Sequence, residues 1–260
     1  MIKKIIYVLL SLALFAGLVL LLGFTRGNNM QNPVLQMDIK VQSRSGNHFI
    51  GPGHIRDLVI EHFDTLEGRH LDPALLRELH GIIVNIDHID HAKVYRTING
   101  QLKLDITLRD PMIRIINRDN QSFYLDTHGN MFPLASGYSA RVLLATGSIP
   151  AAYSPGQHIL SATDGEPEKQ VLQGLFKLAT YIYEDSFWNA FIDHIMVLPN
   201  GKFELIPKNG VHTIQFGDAT YMESKFDRLR AFYIHGLSTL GWYQYSRINV
   251  EFNQQIICSK

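Results

Sequence analysis

The first pattern along the chain is an apolar run without a charge, Ile5–Phe24. At ~1.5 Å per residue, a helix of that length matches the roughly 30 Å hydrocarbon core of a bilayer. The run exceeds the apolar region of a cleaved signal peptide and lacks a small-x-small site at its end, which favours an uncleaved anchor. Lys3 and Lys4 precede it. The positive-inside rule therefore predicts one membrane span, with residues 1–4 cytoplasmic and the chain exported after a spacer at 25–33.

Residues 34–109 predict a unit of the order strand, helix, helix, strand, strand. After a turn at 51–53, apolar side chains recur at helical spacing, and a second helix begins at Asp72-Pro73, an acceptor followed by proline at the first helical position. Residues 92–108 alternate apolar and polar side chains, which is typical of strands that cover such helices.

An asparagine-glycine pair at 99–100 predicts a hairpin within this alternating run. A two-residue turn would place Thr97 opposite Leu102 and separate the apolar residues of the two strands onto different faces. A three-residue loop, residues 99–101 with its glycine left-handed, pairs Ile98 with Leu102 and keeps them on one face. We predict the three-residue loop.

A proline at Pro111 separates this unit from a second one, because proline restrains the residue before it and is excluded from central strands. Residues 110–260 predict a mostly antiparallel β domain with two helices, so the fold class is α+β. Helical periodicity covers 166–184, with its extension to Phe191 left open, and returns in a long amphipathic stretch from Met222. Strands are expected at 112–117, 122–126, 131–134, 142–146, 195–198, 202–207, 212–216 and 247–252.

Composition and charge narrow the classes of partner. The chain has 24 basic and 24 acidic side chains, so its formal charge is zero and no field holds a nucleic acid by counterion release. The single cysteine, Cys258, excludes an intramolecular disulfide. Stability must therefore come from packing.

The sequence carries no set of residues arranged for a reaction. It has no phosphate-binding glycine loop, and the nearest approach to a nucleophile elbow, residues 137–141, lacks the final glycine. His88 and His91 would share a ligand face only in a helix, whereas the pattern there indicates a turn entering a strand. We expect a non-catalytic protein without metal or cofactor, in which Asp126 bonds its own backbone in a turn and Cys258 is an unpaired thiol.

Aromatic residues cluster toward the end of the longer helical segment. A carbohydrate-binding platform is one interpretation, and packing in a core or interface is the favoured one. The cluster comprises Tyr181, Tyr183, Phe187, Trp188 and Phe191.

The last predicted strand, residues 247–252, has no proline or lysine in it or as far as Ile257 to block pairing. Such a strand accepts a partner's strand through its free main-chain groups if it lies at a sheet edge. The alternative is a closing strand already covered by neighbours, and the sequence leaves both open. Its residues alternate, with Ile248, Val250 and Phe252 on one face and Asn249, Glu251 and Asn253 on the other.

The order of these parts resembles the FtsQ/DivIB family of bacterial cell-division proteins, whose first exported unit is a POTRA domain. Pro111 and Arg114, at the domain junction, are similar to the family's proline-x-x-arginine strand. Phe123–Phe132 resembles its aspartate-x-x-glycine-x-x-phenylalanine hairpin, and 171–174 and 225–229 fall where the family has its two β-domain helices. The resemblance covers essentially the whole chain.

This resemblance implies a scaffold without catalytic activity at the division septum of the inner membrane. A scaffold of this family recruits the coiled-coil proteins FtsB and FtsL and, through them, the peptidoglycan synthase FtsW–FtsI. Its last strand pairs with FtsB. The partner-binding residues implied here are Phe252 with Asn249, Val250, Glu251 and Asn253. Relatives have a basic residue where this chain has Glu251, so their ion pair with an acidic partner residue does not carry over.

Two other functions fit parts of the pattern. A POTRA-bearing secretion or outer-membrane assembly factor would carry tandem repeats or a barrel of many ten-residue strands, and neither is visible. A membrane-tethered wall hydrolase would need the catalytic set that the sequence lacks.

Overall fold

The computed structural model shows an α+β protein in two compact units. The first unit ends at Leu108 and the second begins at Arg109, with Asn47–Phe49 belonging to the second. The residues described are 6–7, 10–20, 33–237, 241, 243–252 and 254–260.

The expected membrane span, Ile5–Phe24, lies partly outside the described residues. Its described parts, 6–7 and 10–20, are helical. Within the described part of the chain, no helix is long and apolar enough to cross a membrane.

The first unit has the predicted order of strand, helix, helix, strand, strand. Its three-stranded sheet has the order β1-β3-β2, in which β1 is parallel and β2 antiparallel to β3. The second helix begins as predicted, because Asp72 Oδ1 accepts a hydrogen bond of 2.7 Å from the Leu75 N–H. The elements are β1 (Gln36–Gln42), α1 (Pro52–Phe63), α2 (Pro73–Val84), β2 (Ile89–Arg96) and β3 (Gln101–Leu108).

The β2–β3 hairpin has the predicted three-residue loop in the wrong position. Arg96 lies opposite Leu102, so the loop comprises residues 98–100, one position earlier than predicted. Gly100 is left-handed, with φ of 80°. In a three-residue hairpin the left-handed residue comes last, so the glycine must close the loop. Ile98 consequently lies in the loop, with its side chain exposed.

The second unit contains, among its described residues, a nine-stranded sheet of the order β12-β11-β10-β9-β8-β7-β4-β5-β6. Most neighbouring pairs are antiparallel, and β10–β11, β7–β8 and β4–β7 are parallel. Its strands are β4 (Pro111–Ile116), β5 (Ser122–Asp126), β6 (Met131–Pro133), β7 (Leu143–Gly147), β8 (Ile192–Val197), β9 (Phe203–Pro207), β10 (Thr213–Gly217), β11 (Arg247–Asn249) and β12 (Ile257–Ser259).

The two predicted helices of this unit are α3 (Glu166–Glu184) and α5 (Met222–Ala231), the latter followed by a π-helical turn, Phe232–Leu237. The extension of α3 toward Phe191 is a separate short helix, α4 (Ser186–Phe191). The two helices are separated at Asp185, whose backbone is extended. Its side chain caps α4 by accepting hydrogen bonds from the Phe187 and Trp188 N–H groups.

Four of the five aromatic residues of the cluster pack in or against the core of this unit, and Tyr183 is exposed. Trp188 is fully buried, and its ring lies 4.8 Å from that of Phe226 between centroids. Tyr181, on α3, stacks on the same Phe226 ring of α5, with 4.6 Å between the ring centroids. These side chains join the apolar residues of the sheet in one core, which includes Leu172, Leu175, Leu178, Ile195, Leu205, Ile214, Leu229 and Ile248.

Candidate functional site

The strand predicted at the sheet edge is shorter than expected and lies inside the sheet. β11 ends at Asn249 rather than at residue 252. It pairs in parallel with β10 on one side and antiparallel with β12 on the other, so Ile248 lies opposite both Ile214 and Cys258. The interpretation of 247–252 as the edge is therefore wrong, because the final residues of the chain return to cover it.

The actual edge is β12, which the sequence reading did not assign as a strand. No strand among the described residues pairs with its outer side. Ile256 and Cys258 pack against the core, and burial raises the pKa of the Cys258 thiol. Ile257 points the other way and is 46% exposed. β12 thus combines anchored side chains with an exposed apolar one at an edge that no described strand covers.

The predicted binding residues Val250, Glu251 and Phe252 follow β11 as an irregular segment. Val250 is buried, and its N–H donates to the Gln215 carbonyl at 3.0 Å. Asn249 Oδ1 accepts from the Glu251 N–H at 2.9 Å. The Phe252 side chain is 48% exposed.

Asn253, the remaining residue of the predicted set, lies outside the described residues. The structure therefore groups the others around the β11–β12 connection, next in sequence to the edge rather than on it.

Glu251 is engaged within its own chain. Its carboxylate forms an ion pair with Lys202. Its side chain also lies over Gly217, where an added Cβ would stand 2.6 Å from the Glu251 Cγ. The acidic residue at this position thus has an intramolecular cation, and Gly217 provides the space for it.

Arg228, on α5, contacts the same segment from the helix side. Its Nη1 donates to the Phe252 carbonyl at 2.8 Å and its Nη2 to the Val250 carbonyl at 3.0 Å. The sequence reading placed Arg228 only in a helix motif. No local signal links it to a segment 24 residues further along the chain.

The two junction residues are not part of this site. Pro111 is the first residue of β4, where it lies opposite Asp126 in the sheet. Arg114 Nε donates to Ser122 Oγ at 3.0 Å on β5. β4 and β12 are not neighbours in the sheet, so the structure does not bring Pro111 and Arg114 together with the partner-binding set.

A buried titratable pair supports the same end of the sheet. His212 Nε2 and the Tyr233 hydroxyl are 2.7 Å apart, and both side chains are buried. Burial lowers the pKa of His212 and raises that of Tyr233. Within the part of the chain that the structure describes, no group of three or more histidine, cysteine or acidic residues is arranged to hold a metal ion.

Comparison with known protein families identifies a family that the second unit matches. Residues 110–259 match the family model described as FtsQ/DivIB, C-terminal related. No curated protein matches the chain significantly. The matched range covers more than half of the sequence, begins just before β4 and ends at the last residue of β12, so it spans the whole nine-stranded sheet.

Proposed function

Because the chain belongs to the FtsQ/DivIB, C-terminal related family, we propose that it is a divisome scaffold that binds FtsB and FtsL and links them to septal peptidoglycan synthesis. Membership itself gives a role in cell division, in a family of non-catalytic division proteins. The observation that supports the binding mode is the outer side of β12, with which no described strand pairs.

A strand of FtsB adds to this edge, at Ile257–Ser259 instead of at the 247–252 segment expected from sequence. Main-chain hydrogen bonds to an edge strand supply affinity, and alternate side chains supply specificity. Ile257 offers an exposed apolar contact, and Phe252 offers a half-exposed aromatic ring in the connection that leads into β12. Asn249, Val250 and Glu251 support that connection through intramolecular contacts.

Co-purification of FtsB with the full-length chain tests this proposal. Ile257→Asp and Phe252→Asp each place a charge at the proposed contact, so each should weaken FtsB capture about tenfold or more. Ile98→Asp is the matched control, since it changes an isoleucine that is 77% exposed in the other unit. Wild-type capture by both the Ile257→Asp and the Phe252→Asp variant would overturn the proposal.

The proposal includes the location of the chain. Residues 5–24 cross the inner membrane with residues 1–4 in the cytoplasm, residues 34–109 form a periplasmic POTRA-like domain, and residues 110–260 form the periplasmic β domain. The charge flanking the apolar run supports this orientation. The β-α-α-β-β order of the first unit supports the POTRA-like assignment.

A C-terminal alkaline phosphatase fusion should be active, because that enzyme requires export. A fluorescent fusion should collect at the septum of dividing cells. An inactive phosphatase fusion, at normal expression, would contradict the orientation.

A further inference from the structure

We infer that Arg228 is a positioning residue for partner capture, which fixes the main chain of Val250–Phe252 so that the Phe252 ring is a preformed anchor. The inference rests on the proposed function, because it concerns how that same edge receives its partner. It follows from the geometry of one guanidinium and from the exposure of one ring.

The guanidinium of Arg228 joins a rigid helix to two points of the segment. Its two terminal nitrogens donate to the carbonyls of Val250 and Phe252, at 3.0 and 2.8 Å. A planar fork holds two acceptors at a fixed spacing, whereas a lysine ammonium on a flexible stem does not. The helix is itself fixed, because Phe226 and Leu229 on either side of Arg228 are fully buried.

Three further contacts within the chain restrain the residues just before Phe252. The Val250 N–H bonds to Gln215, and the Glu251 N–H bonds to Asn249. The Glu251 carboxylate pairs with Lys202. The main-chain groups of Val250 and Glu251 that make these bonds are thus satisfied internally, so the segment serves to present a side chain rather than to pair with a strand.

The side chain that it presents is Phe252. An aromatic ring that is 48% exposed has area left to bury, and aromatic residues dominate the energetics of interface centres. A ring on a restrained backbone loses less conformational entropy on binding than one on a loose loop. Arg228 therefore raises affinity without touching the partner.

A double-mutant cycle on the full-length chain tests this coupling, with FtsB as the probe. Arg228→Gln, Arg228→Lys and Phe252→Ala should each weaken FtsB binding about tenfold. The double variant Arg228→Gln/Phe252→Ala should bind no more weakly than Phe252→Ala alone, because Arg228 acts through the ring. Additive losses would overturn the inference.

Arg230→Gln is the matched control on the same helix. Arg230 bonds to Asp185 and lies over the Phe187 and Trp188 rings, so its loss should lower stability while FtsB affinity stays within about twofold. An equal loss of affinity in this control would show a general effect of stability and would overturn the inference.

Hydrogen exchange in the free chain separates this inference from the proposed function. The amides of Val250 and Glu251 should exchange faster in Arg228→Gln than in the wild-type chain. Unchanged exchange with intact FtsB binding overturns the role of Arg228 alone. Failure of the wild-type chain to bind FtsB overturns the scaffold proposal and, with it, the role of Arg228 in capture.

Discussion

The two ends of the nine-stranded sheet differ in how their edge strands are treated. At one end the Met131 N–H of β6 donates to Gln157 at 2.9 Å, and the Met131 carbonyl accepts from Gly156 at 2.7 Å. Pro133 ends the same strand and has no N–H to offer. At the other end, no described strand covers the outer side of β12.

Side chains reinforce the difference between these ends. Near β6, Asp126 accepts from the His128 and Asn130 amides at 2.9 Å and pairs with Arg109 at 2.8 Å, which confirms the predicted turn role of Asp126. Near β12, Arg228 instead donates to the Phe252 carbonyl at 2.8 Å in the connection before the edge, and no described strand covers the edge itself.

An uncovered edge strand is a site for unwanted pairing, and proteins commonly block such edges with proline or a covering loop. This sheet uses both devices at β6. The contrast agrees with the proposal that β12 receives a partner strand, and four changes break or sharpen that comparison.

We call the β6 end of the sheet, where residues 156–157 cover the edge strand, the closed end, and the β12 end the open end. The largest effect is expected from Asp126→Ala at the closed end. The Asp126 side chain is 4% exposed and its partner Arg109 18%, so truncation leaves a largely buried cation and two amides without their acceptor. Unfolding free energy should fall by about 3 kcal/mol. Denaturant unfolding of the full-length chain measures it, with the exposed Asp119→Ala as control, and a loss under about 1 kcal/mol would contradict this account.

A proline in β12 should make the open end resemble the closed end, because both edge strands would then lack a main-chain donor. Successive N–H groups of a strand point to opposite sides, so of Ile257→Pro and Cys258→Pro one removes an outward donor and the other a donor toward β11. The outward one should weaken FtsB binding about tenfold with little change in the unfolding midpoint, and the other should lower stability. Equal FtsB binding by both variants and the wild-type chain would refute pairing at β12.

Sequence patterns predicted those elements whose signals are local. Helix α3 and strand β5 have the predicted bounds, Glu166–Glu184 and Ser122–Asp126, because helical periodicity and the flanking turns mark their ends. The N-terminus of α2 was also predictable, since its cap lies within one turn of the chain. The hairpin loop was misplaced by one residue because Gly100 was assigned to its middle instead of its end.

The position of the sheet edge depends on contacts that local patterns do not contain. β12 spans only Ile257–Ser259, which is too short for an alternating pattern to be recognised, and its Cys258 packs against a core formed by distant parts of the chain. The pair between Glu251 and Lys202 joins residues 49 apart. The sequence pattern therefore led to the wrong strand being assigned as the edge of the sheet.

Acid should destabilise the open end through His212. Burial lowers the pKa of His212, so as the pH falls below its ordinary value of about 6.5 the unfolded chain binds a proton that the folded chain does not. Stability is then lost as pH falls through that window, and the melting temperature should be lower at pH 5.5 than at pH 7.5. His212→Gln should reduce this drop. His194, whose pKa burial also lowers, accounts for a remainder. An unchanged drop in His212→Gln would contradict this assignment.

The smallest effect is expected from Pro133→Val at the closed end. The substitution restores one N–H to β6, but the N–H and carbonyl of Met131 remain bonded to residues 156–157. A second strand gains little from a single donor, since pairing affinity comes from a run of main-chain bonds. Sedimentation should show no new self-association, and FtsB binding should stay within about twofold of wild type. Association through β6 would mean that the missing donor, rather than the covering loop, keeps that end closed, and the two ends would then differ by one residue instead of by their architecture.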